Sequence, residues 1–353
     1  MDNRIKVVLL GTGRMGEGIG RLLLEKDGIQ LAGAVGKRKE RVGIDLGRLF
    51  NLDRDLNLKL SDNLSNLLQA VRPDVVIQTT GSRMNEVYPD IMTALEYDAN
   101  VISIAEEMSY PWFSSPEKAG EIHSHALNKG VSVLGTGINP GFVLDYLIIA
   151  LTGVCLSVES ITASRVNDLS PYGYSVLKTQ GVGLTPAEFE QGLADGTVAG
   201  HFGFNESISL IARSLGWKID RIEQTRKPIL STVRRVTPVM TVEPGQTAGL
   251  EHIGVGYRDG KPIITLIHPQ QVYPHLGGVE TGDSISIKGR PDINFSSSPE
   301  IPGGLGTIAL AVNMIPHVLS AKPGLLTMAD LPVPAALMGD VRSVLAERFG
   351  RSQ

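Results

Sequence analysis

The sequence predicts an α/β protein with a doubly wound parallel sheet, followed by an α+β domain with an open mixed sheet. Three observations predict this fold. Short apolar strands alternate with amphipathic helices from residue 5 to about residue 134. A glycine-rich turn follows the first strand directly. After residue 135 the pattern changes to alternating strands, and residues 258–261 form a hairpin turn signal.

The first domain is expected to span residues 1–135. Its predicted strands cover residues 5–10, 30–35, 74–79, 100–105 and 131–134. Its predicted helices cover residues 17–26, 38–50, 64–71, 86–97 and 116–129. Strands and helices that alternate in this way are typical of parallel sheets with helical crossovers.

The second domain is expected to span residues 136–306 and to bind the substrate and support dimerisation. Its predicted strands cover residues 160–165, 227–236, 238–243, 253–257 and 262–267. Its predicted helices cover residues 186–193 and 206–215. The tail, residues 307–353, contains helical patterns at 307–319 and 333–349, and we expect it to pack back onto the first domain.

Composition excludes several classes of protein. The 353 residues suggest two domains, and a net charge of -4 gives no electrostatic reason to expect nucleic acid or an anionic membrane. The single cysteine, Cys155, cannot form an intrachain disulfide, which fits a reducing compartment. The most apolar stretch, residues 142–156, is too short to span a bilayer. We therefore expect a cytoplasmic protein.

The glycine-rich turn has the spacing of a dinucleotide-binding fingerprint. Gly11 permits a tight turn, Gly13 allows the backbone to approach a pyrophosphate, and Gly16 allows the helix to pack on the strand. The helix that follows would direct free N–H groups at the phosphates. This context, with a strand before and a helix after, predicts a Rossmann domain that binds a nicotinamide dinucleotide.

The end of the second strand predicts which nicotinamide cofactor binds. NAD enzymes usually place an acid there to bind the ribose 2′-OH, whereas this chain has Gly36 followed by Lys37 and Arg38. These cations could pair with a 2′-phosphate, although charges at such a position often form only a solvated surface. We predict that NADP is preferred and that NAD is possible.

Two more strand ends carry polar residues, where ligands of open α/β sheets bind. Thr80 and Gly81 suit cofactor contact, and Glu106 and Glu107 end the next strand. On a strand these glutamates would point to opposite sides, so at most one would face the nicotinamide. The predicted cofactor-binding residues are Gly11, Thr12, Gly13, Arg14, Met15, Gly16, Lys37, Arg38, Thr80 and Gly81.

Longer motifs show a more specific resemblance. They are IAEEMSYPW at residues 104–112, GTGINPGF at 135–142, NMIP at 313–316 and PGLLTMADLP at 323–332. These motifs resemble the 2,4-diaminopentanoate dehydrogenase family, which includes native amine dehydrogenases and is related to dihydrodipicolinate reductase. The resemblance covers nearly the whole chain. It implies NAD(P)-dependent oxidative deamination of 2,4-diaminopentanoate, and the family's active-site glutamate matches Glu106.

A carboxylate at this position suits the implied chemistry. Glu106 could stabilise the iminium cation that forms when hydride leaves the amine carbon, and could take a proton from the attacking water. No metal is needed, because the nicotinamide carries the redox chemistry. The predicted substrate-binding residues are Asn139, Arg165, Tyr172 and His201. For Arg165, pairing within the protein is as compatible with the sequence as pairing with a substrate carboxylate.

Two alternatives stay open at this point. The chain could be a broad amine dehydrogenase that also aminates ketones reductively. It could also be a non-catalytic protein that senses NADPH, which would not need a carboxylate beside the nicotinamide. A homodimer is expected, because a sheet-based second domain often supports one.

Overall fold

The computed structural model describes residues 3–350. These residues form two compact units, one that comprises the described residues up to Phe142 together with those from Pro302 onward, and one that comprises Val143–Ile301. The strands are β1 Ile5–Leu10, β2 Ile29–Val35, β3 Val75–Gln78, β4 Asn100–Ser103, β5 Ser132–Gly135, β6 Ser157–Asp168, β7 Arg221–Leu230, β8 Arg235–Val236, β9 Thr241–Val242, β10 Thr247–Arg258, β11 Lys261–Gln271, β12 Gly282–Arg290, β13 Ile293–Ser297 and β14 Gly324–Leu326. The helices are α1 Arg14–Leu24, α2 Leu46–Leu49, α3 Leu64–Val71, α4 Met84–Glu96, α5 Pro111–Ser114, α6 Pro116–Lys129, α7 Tyr146–Thr152, α8 Tyr174–Thr179, α9 Pro186–Asp195, α10 Phe204–Ser214, α11 Gly303–Asn313, α12 Ile315–Ser320 and α13 Val341–Phe349.

The first unit contains a six-stranded sheet in the order β14-β5-β4-β3-β1-β2. Every neighbouring pair in this sheet is parallel. The strands are mostly buried apolar runs such as Val75, Val76 and Ile77 of β3, as expected for a sheet covered on both faces. The predicted fold class, a Rossmann-like α/β unit followed by a unit with a mixed sheet, is confirmed.

The single helix predicted over residues 38–50 is wrong. The chain forms a 3-10 turn at Lys39–Arg41 and then only the short helix α2. Gly43 has φ +81°, which ends helical geometry. Asp45 then caps α2, and its carboxylate accepts hydrogen bonds from the backbone N–H groups of Gly47, Leu56 and Leu58. Local hydrogen bonds thus replace a continuous helix here.

The C-terminal segment adds the strand β14 and the helices α11, α12 and α13 to the first unit. Strand β14 pairs with β5 and was not predicted, because three residues carry too little periodicity. By length and composition alone, Gly303–Ser320 could cross a membrane, which corrects the expectation that no stretch is long enough. The stretch is divided between α11 and α12, and α11 packs against α1, as a core helix does.

The second unit contains a mixed sheet in the order β13-β12-β6-β11-β10-β7. β6 and β11 are parallel, and the other neighbours are antiparallel. The hairpin predicted at residues 258–261 joins β10 to β11, whereas β12 and β13 were missed. Helix α10 packs on one face of the sheet, against β10 and β11.

The opposite face of this sheet carries rows of small and β-branched side chains. One row of directly paired residues crosses all six strands and consists of Asn294, Ser286, Thr162, Thr265, Val255 and Glu223. A second row consists of Ser296, Ser284, Ser164, Ile267, Ile253 and Thr225. Glu223, on the edge strand β7, is the one charged residue in these two rows. We call this surface the open sheet face.

Candidate active site

The predicted dinucleotide fingerprint forms a tight turn between β1 and α1. Gly11 has φ +103°, and a Cβ atom there would lie 2.5 Å from the Thr79 hydroxyl oxygen. A Cβ atom on Gly16 would lie 2.1 Å from the Gly11 carbonyl oxygen. The Thr79 hydroxyl donates a hydrogen bond to the Leu10 carbonyl at 3.0 Å. The residue that follows β3 thus stabilises the turn between β1 and α1. Gly11 and Gly16 are therefore required by packing.

Gly13 differs from these two glycines. It caps α1 in an extended conformation, with φ -74° and ψ -170°, which any residue can adopt. No heavy atom of the described residues outside its immediate neighbours lies within 4 Å of a Cβ atom built on Gly13. The glycine thus leaves open space directly at the N-terminus of α1. A pyrophosphate fits this space, because the first N–H groups of a helix attract anions.

Lys37 and Arg38, which follow β2, are exposed, and Lys37 has a protein partner. The Lys37 ammonium lies 3.3 Å from the Asp90 carboxylate of α4. Arg38 precedes the 3-10 turn and is exposed. Arg41, at the end of that turn, donates a hydrogen bond to the Thr12 carbonyl at 3.0 Å. Sequence reasoning missed Arg41, because residues 38–50 were interpreted as one helix.

The two glutamates lie on a 3-10 turn, Glu106–Ser109, and not on a strand. β4 ends at Ser103, so the argument that strand alternation separates the two side chains is wrong. The Ser103 hydroxyl accepts a hydrogen bond from the Ala105 N–H at 3.2 Å, which turns the chain away from the sheet. The two carboxylates nevertheless have different surroundings.

Glu106 has the perturbed carboxyl group of the pair. Burial raises the pKa of the Glu106 carboxyl, and the nearby carboxylates of Glu86 and Glu107 add to this effect. Hydrogen bonds from its own backbone and from the Ser82 side chain act in the opposite direction. A carboxyl group with a raised pKa at the end of a parallel strand is a good candidate for acid–base catalysis.

Glu107 has a structural role. Its carboxylate accepts a hydrogen bond from the Met84 N–H at 2.7 Å, at the first residue of α4. Its own N–H donates to the Ser82 carbonyl at 3.2 Å. A negative charge at a helix N-terminus is stabilising. Glu107 therefore fixes the 3-10 turn to α4 and leaves Glu106 as the candidate catalytic group.

The end of β5 and the loop that follows it lie next to the turn that carries Glu106. A Cβ atom on Gly135 would lie 1.8 Å from the Met108 carbonyl oxygen, so the backbone of the turn rests directly on this glycine. Asn139 follows in the same loop, where the Ile138 N–H donates to the Thr307 hydroxyl at 3.1 Å. The GTGINPGF segment thus combines a packing requirement with a predicted substrate-binding residue.

Within the second unit, the partly exposed His201 lies beside two buried histidines, His252 and His268. Its ring is 4.9 Å from the His268 ring and 5.0 Å from the Phe204 ring, between ring centroids. Its backbone N–H donates to Nδ1 of His252 at 3.1 Å. Burial, together with the charges of Arg165 and Arg226, lowers the pKa of His201 to about 3. Its ring is therefore neutral at physiological pH.

His252 and His268 lie beside His201, although no sequence pattern grouped the three residues. Burial lowers the pKa of His252 to about 2 and that of His268 well below its usual value. The two residues lie directly opposite each other on β10 and β11. Counting back from the hairpin turn at residues 258–261 would pair His252 with Ile267, because the register shifts by one residue between Gly256 and Tyr257. Among residues 3–350, no group of three or more potential ligands is arranged to hold a metal.

Arg165 forms a buried ion pair inside the second unit. Its guanidinium donates to the Asp283 carboxylate and to the Ile301 carbonyl, both at 2.6 Å. Only 2% of Arg165 is exposed. Of the two roles left open by the sequence, the structure shows pairing within the protein. Removing one partner of a buried pair costs about 3–5 kcal/mol of stability, so an Arg165 variant would not report on substrate binding.

Tyr172 packs against an apolar cluster of the second unit. Its ring packs, partly buried, against apolar residues that include Leu169, Leu177 and Val242. The second unit therefore brings His201 and Arg165 near each other, and Tyr172 packs against its apolar cluster. A substrate-binding role for Tyr172 stays a prediction.

Comparisons with known proteins identify relatives over the full chain. Residues 142–347 match the family model for the 2,4-diaminopentanoate dehydrogenase C-terminal domain, and residues 5–103 match that for the dihydrodipicolinate reductase N-terminus. A 2,4-diaminopentanoate dehydrogenase from Acetoanaerobium sticklandii is 45% identical over 346 residues, which cover 98% of both chains. An amine dehydrogenase from Streptomyces virginiae is 26% identical and covers 94% of this chain and 98% of the relative.

A solved structure shows a similar fold. An amine dehydrogenase from Mycobacterium smegmatis superposes with a TM-score of 0.83 and 26% identity, covering 94% of this chain and 97% of that chain. GenD2 from gentamicin A biosynthesis, solved in complex with NAD, has a TM-score of 0.55 at 16% identity and shares the fold.

Proposed function

The chain belongs to the 2,4-diaminopentanoate dehydrogenase family and is an oxidoreductase that acts on the CH–NH2 group, and from this premise we propose that it oxidatively deaminates 2,4-diaminopentanoate. The products are 2-amino-4-oxopentanoate and ammonia. The observation that carries the proposal is the 45% identity to a dehydrogenase of that name across 98% of both chains.

The proposed reaction consumes one water. In the balanced reaction, the protonated amine, oxidised NAD(P) and water give the ketone, an ammonium ion, reduced NAD(P)H and one proton. When bound, the nicotinamide would accept the hydride from the amine carbon, and the water supplies the ketone oxygen. The Glu106 carboxylate stabilises the cationic iminium that forms from the amine. It then accepts a proton from the water that attacks the iminium carbon and returns a proton to the departing ammonia.

The cofactor is proposed to bind at the first unit. The open space at Gly13 and the N-terminus of α1 suit the pyrophosphate, and Thr12, Arg14 and Met15 belong to the same turn. Thr80 and Gly81 follow β3, at the same edge of the sheet. When bound, the nicotinamide would supply the hydride acceptor.

His201 is proposed to contact the substrate with a neutral ring. Its Nε2 atom is buried and has no hydrogen-bond partner among residues 3–350. A buried polar atom without a partner in the protein points to a bound ligand or water. Because His201 is uncharged, we propose that it hydrogen-bonds a polar group of the amino-acid end and does not form an ion pair there.

Comparing two substrates tests the proposed reaction. We expect kcat/KM for 2,4-diaminopentanoate to exceed that for 2-aminopentane by about 10- to 100-fold, the size of lost hydrogen bonds to charged groups. His201→Asn should reduce this preference, whereas His275→Ala, at an exposed histidine, should leave it unchanged. Equal kcat/KM values for both amines would instead indicate a broad amine dehydrogenase. Absence of hydride transfer with any amine or with ketones plus ammonia would favour a cofactor-sensing protein.

Cofactor choice is proposed to follow the cations after β2. We expect a higher kcat/KM with NADP than with NAD, because position 36 carries no acid and Lys37 and Arg38 are exposed. The double replacement Lys37→Ala with Arg38→Ala should lower the NADP/NAD ratio about 5- to 10-fold. Lys322→Ala, at the opposite end of the sheet, is the matched control. An unchanged ratio in the double variant would disprove the pairing.

We propose that the protein is a homodimer and that two open sheet faces pack together. The six strands form a surface of roughly 800 Å² per chain, from a strand spacing of about 4.8 Å and a rise of about 3.3 Å per residue. A standard interface buries about that area on each partner. Light scattering of the unmodified protein should give the mass of two chains. The Thr162→Arg variant, changed at an exposed position of the open sheet face, should give the mass of one chain. A single-chain mass for the unmodified protein would contradict the proposal.

A further inference from the structure

A chain of buried hydrogen bonds joins the ends of β3 and β4. Gln78 and Ser103 are the last residues of these strands, and both are fully buried. The Ser103 hydroxyl donates to Oε1 of Gln78 at 2.5 Å, and Nε2 of Gln78 donates to the Thr80 hydroxyl at 2.8 Å. We call these three side chains the strand-end bridge.

Each side chain of the strand-end bridge has a defined role as hydrogen-bond donor or acceptor. The Ser103 oxygen accepts the Ala105 N–H at 3.2 Å, and the Ser103 hydroxyl donates its own proton to the Gln78 oxygen. The amide NH2 group of Gln78 therefore faces Thr80. Because the Thr80 oxygen accepts this bond, its hydroxyl proton remains for another acceptor. The bridge thus prepares Thr80 as a hydrogen-bond donor at the predicted cofactor site.

The two ends of the bridge lie in different functional segments. One end is Thr80, in the loop predicted to contact the cofactor. The other end is the N–H of Ala105, which directly precedes Glu106. A second bond, from the Ile104 N–H to the Gln78 carbonyl at 3.2 Å, holds the same two segments together. Two loops that are 25 residues apart in sequence are thereby fixed to one amide group.

The stability of the fold alone gives little reason for a glutamine at position 78, at the end of β3. The preceding residues of β3, Val75, Val76 and Ile77, are all buried and apolar. Replacing both partners of a buried hydrogen bond with apolar side chains is often nearly neutral for stability. A buried polar network does, however, define one arrangement of the segments it connects.

We propose that Gln78 and Ser103 are positioning residues that hold the cofactor loop and the Glu106 turn in one fixed relation. The proposal rests on the proposed function, because it assigns the two ends of the bridge to cofactor binding and catalysis. Neither residue is assigned a contact with the reacting atoms. The bridge acts on Thr80 at one end and on the Glu106 turn at the other.

Three variants and one control test the strand-end bridge. The variants are Gln78→Met, Ser103→Ala and the combination of both. The control is Ser132→Ala, because Ser132 is also a buried strand serine and its hydroxyl binds the Lys322 carbonyl at the opposite end of the sheet. The measurements are kcat and KM for the amine, the Kd of NADPH from its fluorescence, and thermal unfolding.

We expect each single variant to lower kcat about 10-fold and to raise the NADPH Kd about 3- to 10-fold, with KM for the amine nearly unchanged. The double variant should resemble the single ones, because each substitution interrupts the same chain of bonds. Ser132→Ala should change thermal unfolding only. If Gln78→Met does not fold, Ser103→Ala and Thr80→Val, at the partly exposed end, test the same bridge.

Unchanged kcat and Kd in Ser103→Ala, or equal changes in Ser132→Ala, would overturn the proposal and leave the bridge a purely structural network. Failure of the proposed function gives a different result. In that case the unmodified protein would oxidise no amine, while the NADPH Kd of the same variants would still show whether the bridge positions Thr80.

Discussion

Replacing Glu106 with glutamine is expected to lower the rate of amine oxidation by about 10²-fold or more, the contribution of a single acid–base group. Glutamine keeps the shape of the side chain but carries no negative charge, so it neither stabilises the iminium nor accepts a proton from water. Steady-state kinetics measure the loss. The Kd of the cofactor should stay nearly unchanged, because the glycine turn and the α1 N-terminus are not altered.

The raised pKa of Glu106 predicts a pH dependence with a definite sign. The carboxylate is the active form, so the oxidation rate should rise as pH increases through this raised pKa, and Glu106→Gln should lack that rise. The folding stability changes in the opposite direction as the pH increases. A carboxyl group whose pKa is raised on folding destabilises the protein once it ionises. Above that pKa, the thermal midpoint of Glu106→Gln should therefore equal or exceed that of the unmodified protein.

Glu107→Gln is the matched control for this prediction. The amide oxygen of glutamine can still accept the hydrogen bond from the Met84 N–H, so we expect a small loss of rate. The loss of negative charge at the start of α4 should cost at most about 1 kcal/mol of stability. A larger loss of rate in Glu107→Gln than in Glu106→Gln would show that the two roles are reversed.

The sequence was sufficient to predict the features of this site that depend on local pattern. The spacing of Gly11, Gly13 and Gly16 between an apolar run and a helix predicted a turn that the structure contains. The boundaries of α3 and α6 were also correct, since both have clear helical periodicity. Local periodicity, read over eight or more residues, reflects the same burial that forms the element.

Features that depend on contacts distant in sequence were not predictable. The roles of Glu106 and Glu107 are separated by the Met84 N–H at the start of α4 and by the Ser82 side chain in the loop before it. Strand alternation was expected to separate them, whereas the segment Glu106–Ser109 is in fact a 3-10 turn. Arg165 shows the same limit, because its partner Asp283 is 118 positions away.

The second large effect concerns cofactor binding at Gly13. We expect Gly13→Val to raise the Kd of the nicotinamide cofactor about 10²-fold or more while thermal unfolding of the free protein stays nearly unchanged. The valine side chain would occupy the space in which the pyrophosphate approaches the α1 N-terminus, and the lost anion contacts account for about 3 kcal/mol. Folding is unaffected because the backbone of Gly13 is extended and its Cβ position is open within the described residues.

Gly16→Ala separates this effect from a packing defect. Its added Cβ atom would lie 2.1 Å from the Gly11 carbonyl oxygen, so backbone atoms must move and the thermal midpoint should fall. Cofactor binding should weaken in both variants, but only Gly16→Ala should lose stability in the absence of cofactor. If Gly13→Val bound the cofactor as tightly as the unmodified protein does, the pyrophosphate could not lie at the α1 N-terminus. The glycine spacing would then serve packing alone.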